Sequence, residues 1–337
     1  MTPIELPELL ALERIIELGG EHMQHQVLAM ARSSAGASYP IYAITMGNPD
    51  PQVPAVGYFG GVHGLERIGC EVVLAYLHSL VMRLQWDSTL HQQLDCVRLV
   101  FIPLVNPGGL AMGTRANPHG VDLMRNSPVQ AQERVPFLLG GHRTSARLPW
   151  YRGPPTGEME VESKALCDVV QRELLSRAMS LAVDCHSGFG AADRIWFPYA
   201  HTRKPITHLA EVHALKDIFT DSHPHHRYIL EPQSAQYLAH GDLWDHLYLL
   251  SCHQSDRIFL PLTLEMGSWL WVKKNPRQLF SRHGMFKPLI EHRQQRVLRQ
   301  HQQFLDFLSR AACGHSRWLP IAENRDQHHA RALQEWY

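Results

Sequence analysis

Pro54-Ala-Val-Gly-Tyr-Phe-Gly-Gly-Val-His63-Gly-Leu-Glu66-Arg-Ile-Gly-Cys-Glu-Val-Val-Leu74 decides how this chain is read. Its first part, 54–60, is an apolar run of strand type. Its last part opens a helix-like run that continues to Arg83. Between them lies the turn Gly60-Gly61-Val62-His63-Gly64-Leu65-Glu66. A turn that leaves a strand and enters a helix sits at the carboxyl end of the strand, where open α/β sheets hold their ligands. His63 and Glu66 are three apart, so an imidazole nitrogen and a carboxylate converge on one point, and both are ordinary zinc donors. With 23 histidines the same spacing recurs, at His208-Leu-Ala-Glu211. That pair lies inside an apparent helix with no glycine turn before it, and is expected to be a solvated helix face.

Outward from the turn, strands and helices alternate. Pro7 to Leu18 is periodic at helical spacing and stops at Gly19-Gly20. Tyr39 to Met46 reads as a strand ended by Gly47-Asn-Pro-Asp-Pro51. Cys96 to Val105 is a near-continuous apolar strand, of the kind covered on both faces. From Asn106 to Pro155 the chain is rich in Gly, Pro, Asn and Arg without periodicity, which marks a functional loop region. Helices are expected over 158–176, 205–219 and 241–251, and strands over 180–185, 194–199, 227–230 and 258–265. A long helix or helix pair is expected over 275–312, and the tail after Gly314 is expected to be patternless surface. The alternation predicts one α/β domain, 1–337, with a mixed, mostly parallel sheet flanked by helices and a C-terminal helical extension over 275–337.

Composition removes several classes of function. The 337 residues are 45% hydrophobic and carry a formal net charge of zero at pH 7, which gives no electrostatic reason for a nucleic-acid or membrane partner. The six cysteines are scattered with no Cys-x-x-Cys pair, as in reduced proteins. The N-terminus lacks a basic region followed by an apolar core, and no apolar stretch is long enough to span a bilayer. A soluble, cytoplasmic protein is expected.

Several apolar strands end in a polar residue followed by glycine or a turn. His63 and Glu66 follow the second strand, Asn106 the third and His186 the fourth, while Glu265 closes the last. If these ends share one sheet edge, the residues meet in one cleft. His63, Glu66 and His186 then form a two-imidazole, one-carboxylate set for one zinc ion, with the fourth position left for water. Glu265, costly at a strand end unless paired or functional, is placed to act as general base to that water.

These motifs, in this order, resemble the zinc carboxypeptidase family (peptidase family M14, carboxypeptidase A-like) over about Tyr39 to Gly267. The resemblance rests on His63-Gly-Leu-Glu66, Asn106-Pro-Gly-Gly109, Gly113-Thr-Arg115 followed by Gly120-Val-Asp-Leu-Met-Arg-Asn126, Asp184-Cys-His186-Ser-Gly188 and Thr263-Leu-Glu265. It implies that Arg115 polarises the scissile carbonyl and that Arg125, with Asn126, holds a substrate carboxylate. It implies that Asp122 orients His63. Tyr237, in Tyr237-Leu-Ala-His-Gly-Asp-Leu-Trp244-Asp245, resembles the mobile tyrosine that caps the substrate, with Trp244 near the side-chain pocket. The implied activity is release of a C-terminal amino acid from a peptide by zinc-activated water, with Glu265 as base.

One departure widens the choice of substrate. Met124 stands where the family usually has an asparagine that helps grip the terminal carboxylate, and a thioether cannot donate a hydrogen bond. That leans towards the succinylglutamate desuccinylase/aspartoacylase-like relatives, which cleave an N-acyl amino acid with the same zinc set. His142, Arg143, Arg147 and Arg152 would then be a further source of carboxylate recognition, or a solvated surface loop. A peptide and an N-acyl amino acid both remain open as substrates.

Overall fold

The computed structural model describes residues 5–32, 36–155, 157–188, 190–254, 256–281 and 284–337. Eight strands form one sheet: β1 (Gln24–Arg32), β2 (Ser38–Gly47), β3 (Ala55–Gly60), β4 (Arg98–Ile102), β5 (Met179–Ser187), β6 (Arg194–Phe197), β7 (Ile229–Pro232) and β8 (Ile258–Met266). Their order is β1-β2-β4-β3-β5-β8-β6-β7. The four central strands, β4-β3-β5-β8, are mutually parallel, while β1/β2, β2/β4 and β6/β8 are antiparallel. The helices are α1 (Pro7–Gly19), α2 (Arg67–Arg83), α3 (Ser88–Asp95), α4 (Pro107–Met112), α5 (Val161–Glu173), α6 (Leu209–Ser222), α7 (Leu243–Ser251), α8 (Trp269–Lys274), α9 (Glu291–Cys313), α10 (His315–Trp318) and α11 (Ala322–Trp336).

β3, β4 and β5 are buried throughout, and β8 at every residue but Ile258 and Glu265, because helices cover both faces. Neighbouring residues of β3 show it, since successive side chains point to opposite sides. Tyr58 donates its hydroxyl to Leu305 O of α9 at 3.0 Å and lies edge-on to Tyr76 of α2. Phe59 points the other way and packs against Trp244 of α7, with ring centroids 5.1 Å apart. A hydrophobic run such as Val56-Gly-Tyr-Phe59 is therefore what a strand in this position requires.

Several sequence expectations need correction. β1 was not anticipated: its residues are mostly exposed on the sheet edge, so no clean apolar alternation marks it. The strand expected over 96–105 is only β4, 98–102, and the long helix expected over 275–312 starts at Glu291 after a 3-10 turn, Pro276–Phe280. The tail is not patternless surface. It forms α10 and α11, and α11 lies along α6, with Ala332 fully buried and Trp336 Nε1 donating to Leu230 O at 2.9 Å. His208 and Glu211 are not a solvated face for the same reason. Both are buried, His208 Nδ1 lies 2.9 Å from the Tyr248 hydroxyl, and Arg325 of α11 pairs with Glu211 at 2.8 Å.

Candidate active site

The turn 60–66 is held from three sides. Asn106 is fully buried, donates to Val62 O at 3.2 Å and accepts from the Gly109 N–H at 2.8 Å, so one side chain caps α4 and braces the turn. Gly64 lies so close to α4 that a Cβ there would sit 2.1 Å from the Gly109 carbonyl carbon. Gly69, in the first turn of α2, sits against β5, and a Cβ there would lie 2.1 Å from Cys185 O. These close approaches bring the start of α2 against the end of β5, and with it Glu66 against His186.

There the three sequence-predicted donors meet. His63 Nδ1 lies 3.0 Å from Glu66 Oε1 and 3.2 Å from His186 Nδ1, and His186 Nδ1 lies 3.1 Å from Glu66 Oε2. All three residues are buried. The opposite nitrogen of each ring is held by a buried carboxylate: His63 Nε2 by Asp122 at 3.1 Å and His186 Nε2 by Asp184 at 2.7 Å. That arrangement keeps the proton on Nε2 and turns both Nδ1 lone pairs towards Glu66, which is how metal-ligating imidazoles are oriented. The donor set fits a zinc-type ion.

Charge reinforces this geometry. Burial would raise the Asp122 carboxyl, but Arg115 and His63 outweigh it and hold it well below the usual range. Burial likewise opposes ionisation of Glu66, and the His63 and His186 imidazoles overcome it. Burial would lower His186, while Asp184 and Glu66 push it well up. Arg115 bridges the cluster, with Nε 2.8 Å from Asp122 Oδ2 and Nη1 3.2 Å from Glu66 Oε1.

Glu265 stands in register with His186 on the adjacent strand β8. Its carboxyl is pushed up to about 8, first by burial and then by the Glu66 charge, with His186 and Arg115 opposing. Its Oε2 is buried without a hydrogen-bond partner among the described residues. A carboxyl so displaced, beside a metal-type donor set, makes Glu265 a candidate functional group.

Arg125 is 2% exposed. Its Nη2 donates to the Tyr237 hydroxyl at 3.3 Å and its Cζ lies 5.7 Å from the centre of the Tyr237 ring. Its Nε has no hydrogen-bond partner, and no described carboxylate forms an ion pair with it. Asn126 is engaged elsewhere: its amide oxygen accepts from the Glu160 N–H at 2.6 Å and its nitrogen donates to Arg152 O at 3.1 Å, which ties the loop together.

A model of the zinc carboxypeptidase family matches residues 24–270. The chain belongs to that family. Among relatives of this zinc carboxypeptidase-family chain, carboxypeptidase D of Anas platyrhynchos is 22% identical over 184 residues, covering 52% of this chain and 11% of the relative. Carboxypeptidase SOL1 of Arabidopsis thaliana is 30% identical over 121 residues, covering 34% of this chain and 24% of the relative. The chain thus spans a quarter or less of the length of these two relatives. The crystal structure of carboxypeptidase A from Helicoverpa armigera superposes with a TM-score of 0.66 at 16% identity, over 91% of this chain and 72% of that one, which is a likeness of fold.

Some expectations about the family site change with the structure. Trp244 lies one residue behind the metal-type donors. It is buried, packs on Phe59 and donates Nε1 to Asp184 Oδ2 at 3.0 Å. The Met124 side chain lies in the apolar core. Arg152 is buried and cross-links carbonyls: its Nε donates to Arg125 O at 3.1 Å and its Nη2 to Val129 O at 3.0 Å. Arg143 donates to Gly153 O and Pro154 O. These two arginines brace the loop, Arg143 through carbonyls and Arg152 through carbonyls and the Gln130 side chain, to which its Nη1 donates at 2.9 Å. Asp184 was not singled out from the sequence as a partner of His186. The signal was present, because residues two apart on a strand face the same way.

Proposed function

We propose that this chain is a zinc-dependent metallocarboxypeptidase that releases the C-terminal amino acid of a peptide, with one zinc ion on His63, Glu66 and His186. The observation that carries this reading is Arg125, a buried guanidinium held by Tyr237 whose Nε is unpartnered and which makes no ion-pair contact among the described residues, Asp122 and Asp242 acting on it only from a distance. A buried charge of this kind calls for a counter-ion, and a substrate's terminal carboxylate supplies one bidentately.

A zinc ion, when bound, supplies a Lewis acid that acidifies coordinated water and polarises a carbonyl. The chain's residues do the rest. Glu265, whose carboxyl sits near neutrality, takes a proton from the attacking water and returns it to the leaving amine. Arg115 is fixed by Asp122 and Glu66 through two of its N–H groups, and its remaining donors are available to the developing oxyanion. Asp122 and Asp184 keep the two imidazoles in one tautomer and orientation. The scattered cysteines, with no Cys-x-x-Cys pair, are those of a reduced protein, and we infer a cytoplasmic setting from them.

The test is a mass-spectrometric hydrolysis panel on zinc-loaded protein: peptides with free and with amidated C-termini, and N-acyl amino acids. Loss of one residue from free-ended peptides alone is the expected result. Arg125→Ala is expected to lower kcat/KM on those peptides by roughly 10- to 100-fold, the worth of charged hydrogen bonds. Cleavage confined to N-acyl amino acids, or an Arg125→Ala protein as active as the parent on free-ended peptides, overturns the reading.

A further inference from the structure

A second set of metal-type donors lies away from this centre, where the C-terminal helix meets the domain. His213 and Asp217 are one turn apart on α6 and share a face, and His328 approaches from α11. His213 is buried, while the Asp217 and His328 side chains are 35% and 23% exposed. The two Nδ1 atoms are 3.0 Å apart, and Asp217 Oδ2 lies 3.4 Å from His213 Nδ1 and 3.6 Å from His328 Nδ1. Ligands about 2.1 Å from a tetrahedral ion are separated by roughly 3.4 Å.

We propose that His213, Asp217 and His328 form a second divalent-metal site, of zinc type, that fastens α11 to α6. Both imidazoles turn the same nitrogen towards one carboxylate oxygen, which gives three donors around a single point. The far nitrogen of His213, Nε2, lies 3.8 Å from Glu335 Oε2, so a carboxylate stands behind the ligand. Glu335 also pairs with Lys216 at 2.5 Å, which keeps that cation's charge balanced beside the site. The exposed flank at Asp217 and His328 gives an ion a way in and leaves a position for water. Two imidazoles and a carboxylate suit zinc and its transition-metal neighbours better than calcium or magnesium.

The ion would join two elements far apart in sequence. α11 is also held by the Arg325–Glu211 and Lys216–Glu335 pairs, the Trp336–Leu230 hydrogen bond and the packing of Ala332 and Trp336. Donors drawn from two helices couple ion binding to the docking of one helix on the other.

The experiment uses the full chain, stripped with a chelator, reloaded with zinc chloride and gel-filtered, with zinc counted per chain by elemental analysis. Two ions are expected for the parent and one for His328→Ala. In a His63→Ala background, where the first centre is removed, one ion is expected. It should raise the melting temperature, and both the ion and the rise should vanish on adding His328→Ala or Asp217→Asn. Two separate substitutions, one on each helix, guard against a local folding defect. A His63→Ala chain that retains no ion, or a His328→Ala chain that still retains two, overturns the proposal. The first of these results leaves the contact as a hydrogen bond between two imidazoles.

Discussion

Glu265 and His186 sit side by side on neighbouring strands, yet they ask different things of their surroundings. His186 is framed by carboxylates that favour a charge on it, while Glu265 is denied a partner and pushed up to about 8. With His186 committed as a ligand through Nδ1, Glu265 is the group left to exchange a proton. Glu265→Gln keeps the volume and removes the proton exchange. It is expected to lower kcat by roughly 10²- to 10⁴-fold, with the zinc content of the protein unchanged. A variant with undiminished kcat and a full metal complement would assign the proton transfer to another group.

At the scale of elements, the site depends on how closely α2 can approach β5. Gly69 permits that approach, and Gly69→Ala would push a methyl into Cys185 O, which is backbone and cannot swing aside. The helix must shift, carrying Glu66 away from His186. The expected outcome is destabilisation on the order of 1–3 kcal/mol in urea unfolding, with weaker zinc retention. An unchanged midpoint and zinc content would refute it. Much of this architecture was legible beforehand because β3, β5 and β8 are apolar runs that end abruptly in His63, His186 and Glu265. Fully buried strands write themselves in hydrophobicity, and their polar ends stand out against it. β1 and α11 were not legible. One is an exposed edge strand, and the other is a polar helix held mainly by ion pairs and an indole hydrogen bond, contacts that depend on a distant partner rather than on local periodicity. The reading of His208 and Glu211 failed with it, because a helix face cannot be recognised as covered before its cover is known.

At the scale of the whole molecule, α9 closes one face of the sheet, and it does so with a histidine in its buried stripe. His301 is 1% exposed, lies 2.8 Å from the Tyr228 hydroxyl and is pushed down to about 4 by burial, against the opposing charge of Asp193. In the unfolded chain the same ring titrates at an ordinary 6.5. The folded state therefore refuses a proton that the unfolded state accepts. Its stability is complete above about 6.5 and falls as pH drops towards 4. Chemical denaturation across this window should show a slope up to about 1.4 kcal/mol per pH unit steeper than in His301→Gln. Equal slopes for the two proteins would show that His301 does not titrate differently on folding.

One oxygen in this molecule serves two masters. Asp184 Oδ2 accepts from His186 Nε2 at 2.7 Å and from Trp244 Nε1 at 3.0 Å. Electron density drawn from the imidazole by a cation on its far side is drawn in turn from the carboxylate, and the indole registers the change. Trp244 is therefore expected to report on the first centre: its emission maximum should move as zinc is added, and that signal should disappear from the difference spectrum in Trp244→Phe. Occupancy of a buried centre could then be followed in real time, without a label and without a substrate.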